Sequence, residues 1–450
     1  MTEGLAGLTE LMSAEGELFD PDHEAKRAAR RARRRRGWIV VVLVLALLLA
    51  AGGGYVAWAL TVPTAAPTVV SQTPAVPVTA PAVIALPAEG ASALHVSGGQ
   101  EYLGDAGIRF ASGTEEARPI ASISKLITAM VILDAYPLGV GDPGPEITFS
   151  KADHDLYDEY YLRGATIAAM PTGSTMSLHD ALATILIPSA SNYAEAVSTW
   201  AFGSQGAYLD ATAAWLEKNG LTGTTIVEPT GNSPRNTSTP TDLIALGTLA
   251  AADPVIAEIA ATPSLTLPGP GTMSSTNDLL GTNGVTGLKT GNLGEGSYSL
   301  LYTASIDAGP AGPLSLTGVV LGGSSRASVD RDVVALIDSI RAGFHDVPLA
   351  TAGQDLGSYS TPWGSTARIV VGEDASIFTW SDTPITVSMQ TTTPVEYRDG
   401  EVVGLITWTA GPHTATATIE LEGGIDPPTE WWRLTHPEDL GAGEAAADFG

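Results

Sequence analysis

The 450-residue chain contains no cysteine. That rules out a disulfide framework and any thiolate metal site. Its seven histidines are scattered, with no His-x-x-x-His pair, so no metal is expected. Asp153-His154-Asp155 reads as a solvated loop. There is no phosphate-binding Walker loop and no Gly-x-Gly-x-x-Gly after a strand, so no nucleotide cofactor is expected either. No repeat of fixed period is present. Basic residues are scarce: 22 Lys and Arg stand against 49 Asp and Glu. Eight of the 22 and seven of the 49 fall in residues 1–36, leaving 14 and 42, a net charge of −28 for the rest. Such a surface repels nucleic acid.

The Arg30–Arg36 block in isolation suggests RNA binding, but the apolar run directly after it gives it another meaning. Gly37–Leu60 is a run of 24 residues without a charge, long enough to cross a bilayer as a helix. Trp38 at one end, and Tyr55 and Trp58 near the other, suit the two interfaces. The basic cluster before the run places the N-terminal side in the cytoplasm and everything after about Thr61 outside. The reading is a single-pass membrane anchor at 37–60 behind a cytoplasmic basic segment, 1–36. A cleaved signal peptide is the alternative, since Ala57-Trp58-Ala59 has small-x-small form.

Residues 61–90 are rich in Pro and Ala and nearly uncharged, and read as a semi-extended spacer holding a domain off the membrane. From Ala91 to about 345 helical and strand patterns mix. Leu126, Ile127, Met130, Val131 and Leu133 fall three and four apart after Ser122, the spacing of a helix face. Leu178–Thr199 reads as helical with a break near Pro188. Gly206–Asn219 and Thr239–Ala251 are helical, the latter capped by Thr239 or Thr241. Val285–Leu288, Ser297–Ala304 and Leu314–Leu321 read as strands, and Val329–Phe344 as a closing helix. The fold class is α/β in the α+β sense, with helices packed on an antiparallel sheet. Residues 346–436 hold short β-branched and aromatic runs, Val395–Tyr397 among them, and form a small all-β domain. Residues 437–450, acidic and rich in Ala and Gly, are expected to be disordered.

Three motifs carry chemistry: Ser122-Ile123-Ser124-Lys125, Ser189-Ala190-Ser191-Asn192 and Lys289-Thr290-Gly291. Their first residues are 67 and then 100 positions apart. On a helix Lys125 lies one turn beyond Ser122 on the same face. A serine hydroxyl needs a base, and a lysine can be one if burial or a nearby cation lowers its pKa. Lys289 can be that cation. Lys289 and Thr290 can hold a carboxylate by charge and hydroxyl, and Gly291 leaves the strand edge open to a substrate backbone. Ser189 can pass a proton to a leaving group. Each motif alone is equally a helix cap or a turn. The specificity lies in their order and spacing.

Around these motifs, segments 117–134, 178–198, 226–247 and 284–292 resemble the D-alanyl-D-alanine carboxypeptidases, the low-molecular-mass penicillin-binding proteins. The resemblance covers roughly residues 91–345. Residues 399–408 weakly resemble the β domain found after the catalytic domain in that family. The resemblance implies a β-lactamase/DD-peptidase-like fold, and a peptidoglycan stem peptide ending in D-Ala-D-Ala as substrate. It makes β-lactams covalent inhibitors. Ser122 would be acylated, with Lys125 as base and Ser189 as proton relay. Lys289, Thr290 and Gly291 would bind substrate, and the backbone N–H groups of Ser122 and Asn292 would form the oxyanion hole. One departure stands out. Ser191 occupies the place of the family's Asn in Ser-x-Asn, and Asn192 comes one residue later. Either Ser191 substitutes or a local shift brings Asn192 in. Two alternatives remain. Glu228-Pro229-Thr230-Gly231-Asn232 matches the Glu-x-x-x-Asn of class A β-lactamases. A catalytically weak wall-binding protein is the other.

Overall fold

The computed structural model describes residues 21–441, with side chains from Ala25 onward. The start of the basic segment and the end of the acidic tail lie outside the described residues. A continuous helix, Pro21–Thr61, runs through the basic block and the whole apolar stretch. It is long and apolar enough to cross a membrane. Leu47, Leu48 and Leu49 are exposed, and the helix first bonds another described part of the protein at Tyr55, near its end, where Ala59 is fully buried.

The main domain is built on a five-stranded antiparallel sheet. Its order is Val285–Gly291, Tyr298–Asp307, Pro313–Gly323, Ala91–Gly98 and Ile108–Ser112. Strand periodicity sorts the side chains between two helical layers. Leu300, Tyr302, Ala304 and Ile306 pack with Val333, Leu336, Ile337 and Ile340 of the helix Arg326–Gly343. Leu301 and Val319 face the opposite core, made by Ser124–Ala135, Leu178–Leu186, Ser191–Phe202 and Pro240–Ala252. The sheet is thus covered on both faces. Ser124–Ala135 is buried on nearly every side, Lys125 and Thr128 included. Polar groups so placed require partners, and theirs build the candidate active site.

The helices expected at 239–251 and 329–344 are Pro240–Ala252 and Arg326–Gly343. Thr239 is the N-cap of the first, accepting from the Asp242 N–H at 3.1 Å. Asp153-His154-Asp155 is not a loop. It is the opening of the helix Lys151–Leu162, fixed by a capping box between Ser150 and Asp153. This helix buries only Tyr160, so its apolar periodicity is faint.

The second region is a six-stranded antiparallel sheet, in the order Thr68–Ser71, Asp355–Ser360, Thr366–Val371, His413–Glu422, Val402–Ala410, Ile385–Thr391. Trp408, Ile406 and Ile419 centre its core. Val395–Tyr397 is a turn rather than a strand. Tyr397 has φ +52°, and the Glu401 carboxylate collects the N–H groups of Val395, Glu396 and Arg398. The Pro/Ala-rich segment is not a free spacer. Its β-branched Thr68–Ser71 is the outermost strand of this sheet, and Thr64 bridges Leu440. Further along the segment, Ala82, Ile84 and Leu86 pack onto the main domain, and the Ala85 N–H donates to Ser339 Oγ at 3.2 Å. Pro437–Asp439, expected to be disordered, forms a 3-10 turn.

Candidate active site

Ser122 sits in a 3-10 turn, Ala121–Ile123, that leads directly into the helix Ser124–Ala135. Ala121 has φ +48° and Ser189 has φ +69°. Non-glycine residues in this region carry strain, and such residues cluster at functional sites. The turn is held between two glycines. A Cβ on Gly291 would lie 2.7 Å from the Ile120 carbonyl oxygen, and one on Gly231 would lie 1.9 Å from that of Ala121. Bare backbone at both positions lets the Lys-Thr-Gly strand and the 228–233 loop close on the Ser122 turn from two sides.

Lys125 is fully buried, and its Nζ donates to Ser122 Oγ at 3.0 Å and to the Thr230 carbonyl at 2.6 Å. Burial pulls its pKa down to about 7, against the opposing charge of Glu228. Burial, rather than a second cation, therefore tunes this amine. Lys289 is also buried. Its pKa is held well below the usual range, first by burial and then by Lys125 and Arg326.

The 228–236 segment is fastened to the helix Ser124–Ala135 at two further points. Thr128 Oγ1 donates to the Pro229 carbonyl at 2.8 Å, and Asn236 Nδ2 donates to Ser124 Oγ at 3.0 Å. Glu228 organises the loop from within. Its oxygens accept from the N–H groups of Thr230, Gly231 and Ser233, from Thr230 Oγ1 and from Asn236 Nδ2. A carboxylate so fully engaged is poorly placed to activate water as the β-lactamase alternative requires.

The second motif divides. Ser189 is 3% exposed, and its hydroxyl is buried with no hydrogen-bond partner among the described residues. Buried polar atoms are rarely left so, and the exceptions concentrate at working sites. Asn192 is fully buried and committed elsewhere: it accepts from the Ala168 N–H at 3.1 Å and donates to the Ala168 carbonyl at 2.8 Å. No shift brings it into the site, and its expected role in substrate binding is corrected to that of a structural clamp. Ser191 instead accepts from Asn232 Nδ2 at 3.3 Å. The Asn232 N–H in turn bonds Thr230 Oγ1 at 3.2 Å, one residue from the rest of the lysine network.

In the third motif, Thr290 Oγ1 lies 2.6 Å from Thr276 Oγ1. The Thr276 N–H reaches the Ile187 carbonyl at 3.3 Å, and its carbonyl accepts from Arg326. Thr276 thus joins the third motif to the segment just before the second. Arg326 adds a cation beside Lys289 that motif spacing did not reveal. Among the described residues Val285–Gly291 pairs on one side only, with Tyr298–Asp307. Its other edge runs toward the turn that carries Ser122. Asn292 follows that edge at the surface.

The fold is that of the penicillin-binding proteins. Penicillin binding protein 5 from Haemophilus influenzae superposes with a TM-score of 0.50 at 16% identity, covering 77% of this chain and 99% of that one. Penicillin binding protein 6B from Escherichia coli gives 0.50 at 19%, covering 76% and 95%. Residues 108–324 match the family model described as D-alanyl-D-alanine carboxypeptidase. The D-alanyl-D-alanine endopeptidase of Escherichia coli K12 is 34% identical over 146 residues, 32% of this chain and 44% of the relative. That of Pseudomonas aeruginosa is 33% identical over 150 residues, 33% and 45% of the two chains. The match spans less than half the length of each curated relative.

Proposed function

We propose that the protein is a serine DD-peptidase that trims peptidoglycan stem peptides ending in D-Ala-D-Ala, through an acyl-enzyme on Ser122. The observation that carries this is the buried Lys125 amine, lowered to about 7 and 3.0 Å from Ser122 Oγ. In its neutral form Lys125 keeps one N–H on Thr230 and turns its lone pair to the Ser122 hydroxyl. It takes that proton as Oγ attacks the peptide carbonyl. The N–H groups of Ser122 and Asn292 hold the oxyanion. Ser189 relays to the departing D-Ala amine the proton that Lys125 took, so the C–N bond breaks and Lys125 is neutral again. Water then cleaves the ester, with Lys125 again as base, and the serine proton is restored. Lys289, Thr290 and Arg326 hold the terminal carboxylate. The helix Pro21–Thr61 is the membrane anchor, with its basic end cytoplasmic and the catalytic domain outside.

The curated relatives' names favour a second specificity, endopeptidase cleavage of a cross-link. Both reactions need the same nucleophile and carboxylate grip. Fluorescent penicillin labelling of the protein, wild type against Ser122→Ala, tests the core reading. A stable label absent from the mutant is expected. A label that forms and rapidly clears would return the β-lactamase reading, and no label at all would leave the wall-binding one. Incubation with a pentapeptide and with a cross-linked muropeptide dimer then separates D-Ala release from cross-link splitting.

The Ser191–Asn232 contact gives a separate prediction. With this pair in the role that Asn plays in Ser-x-Asn, Ser191→Ala and Asn232→Ala each lower acylation about 3–10-fold. The double mutant falls little further, because the two lose one shared interaction. Additive losses in the acylation rate constants would show two unrelated roles.

A further inference from the structure

Three consecutive residues of the short helix Glu430–Thr435 point three ways, two of them to other parts of the protein and one to the outside. Trp432 turns to the β region, where its ring meets Trp363 edge-on at 5.6 Å. Trp363 is itself tied by its indole N–H to the Asp426 carbonyl at 2.7 Å. Arg433 turns to the long apolar helix. Its Nη1 donates to the carbonyls of Ala59, Leu60 and Val62 at 3.1, 3.4 and 2.9 Å. These oxygens lie at a helix C-terminus, where carbonyls lack intrahelical partners and the helix dipole favours a cation. Trp431 turns to neither and is 75% exposed. Two further bonds fix the arrangement. Tyr55 Oη donates to the Leu434 carbonyl at 2.7 Å, and the Gly441 N–H donates to the Pro63 carbonyl at 3.0 Å.

The Tyr55 contact sets the depth. Six residues separate Tyr55 from Thr61, the last residue of the helix, or about 9 Å of rise. The segment therefore lies beside the last turns of the apolar helix rather than beyond its end. In a bilayer this is the outer interfacial zone, where tryptophan is favoured because its ring is apolar and its N–H polar. Trp58, 43% exposed on the same turns, has the same surroundings.

We propose that Glu430–Thr435 is a second membrane-contacting element. Arg433 locks it onto the end of the anchor helix, and Trp431 enters the headgroup layer of the outer leaflet, seating the β region directly on the lipid surface. This rests on the reading of Pro21–Thr61 as a membrane span. The occupant is lipid because the patch is continuous with the flank of an apolar helix that no other described part of the protein covers.

The absence of cysteine makes the test direct, since one introduced thiol is unique. The full-length chain is reconstituted in phosphatidylethanolamine–phosphatidylglycerol vesicles. Leu45→Cys, Trp431→Cys and Val140→Cys are each labelled with a polarity-sensitive fluorophore and challenged with headgroup- or acyl-chain-spin-labelled lipids. The Leu45 probe should be quenched by acyl-chain labels, the Trp431 probe by headgroup labels, and the Val140 probe by neither. Adding Arg433→Ala to Trp431→Cys should abolish the headgroup quenching, with the thermal melt of the main domain unchanged. A Trp431 probe as unquenched as Val140, beside a quenched Leu45, overturns the seating. Quenching that survives Arg433→Ala overturns the lock. An unquenched Leu45 removes the span reading and this inference with it.

Discussion

Lys125→Ala should lower the rate of Ser122 acylation about 10²–10⁴-fold, the range a positioned general base contributes. Lys125→Arg should be equally slow. A guanidinium keeps the positive charge but cannot give up its proton at ordinary pH, so equal loss shows that the neutral amine is what matters. An active Arg variant would instead make the charge the working feature. Stopped-flow measurement of β-lactam acylation reads both variants. The wild type carries the matching pH signature. With Lys125 lowered to about 7, its basic form grows as pH rises through that value. Acylation should climb with pH up to neutrality and level off above it. A flat profile across this window would detach Lys125 from the proton transfer.

Gly231→Ala should be among the most damaging single methyl groups in the domain, and the one that strikes the Ser122 turn. Its Cβ would fall 1.9 Å from the Ala121 carbonyl oxygen, and both are backbone on closely tied segments. The residue also sits at φ +79°, where a side chain is strained. Backbone strain of about 1–2 kcal/mol adds to an overpacking cost of about 1–3 kcal/mol. A thermal melt should show the domain destabilised by roughly 2–5 kcal/mol on these two terms. The displacement would pass straight into the Ser122 turn, so β-lactam labelling should fall even where the protein remains folded. A variant with native stability and labelling would show that the loop yields without moving the nucleophile.

The parts of the site that were readable from sequence are those set by short-range geometry. Ser122 and Lys125 are three residues apart on one element, so a helix alone brings them together. Thr239, Pro240 and Asp242 announce their helix by capping chemistry. What stayed hidden depends on how a loop folds. The choice between Ser191 and Asn192 turns on the helix beginning at Ser191, which sends Asn192 toward Ala168. Glu228 looked like a candidate base because its backbone donors come from residues two to five positions later, and only the turn gathers them. Arg326 lies 37 residues beyond Lys289 and meets it only through the sheet. The strand Thr68–Ser71 was masked by the prolines around it, although its own four residues are mostly good strand formers.

That strand changes the order in which the molecule is assembled. Thr68–Ser71 belongs to a sheet whose other members begin at Asp355. The catalytic domain is therefore an insertion, threaded between the first strand of the β region and the rest. A protease clipping the peptide between Gln72 and Gly90 would break the covalent path from the apolar helix to the catalytic domain. The cut protein would still hold together through the Thr68–Ser71 pairing and Arg433. The long way round the chain, through the β region, is its second tether.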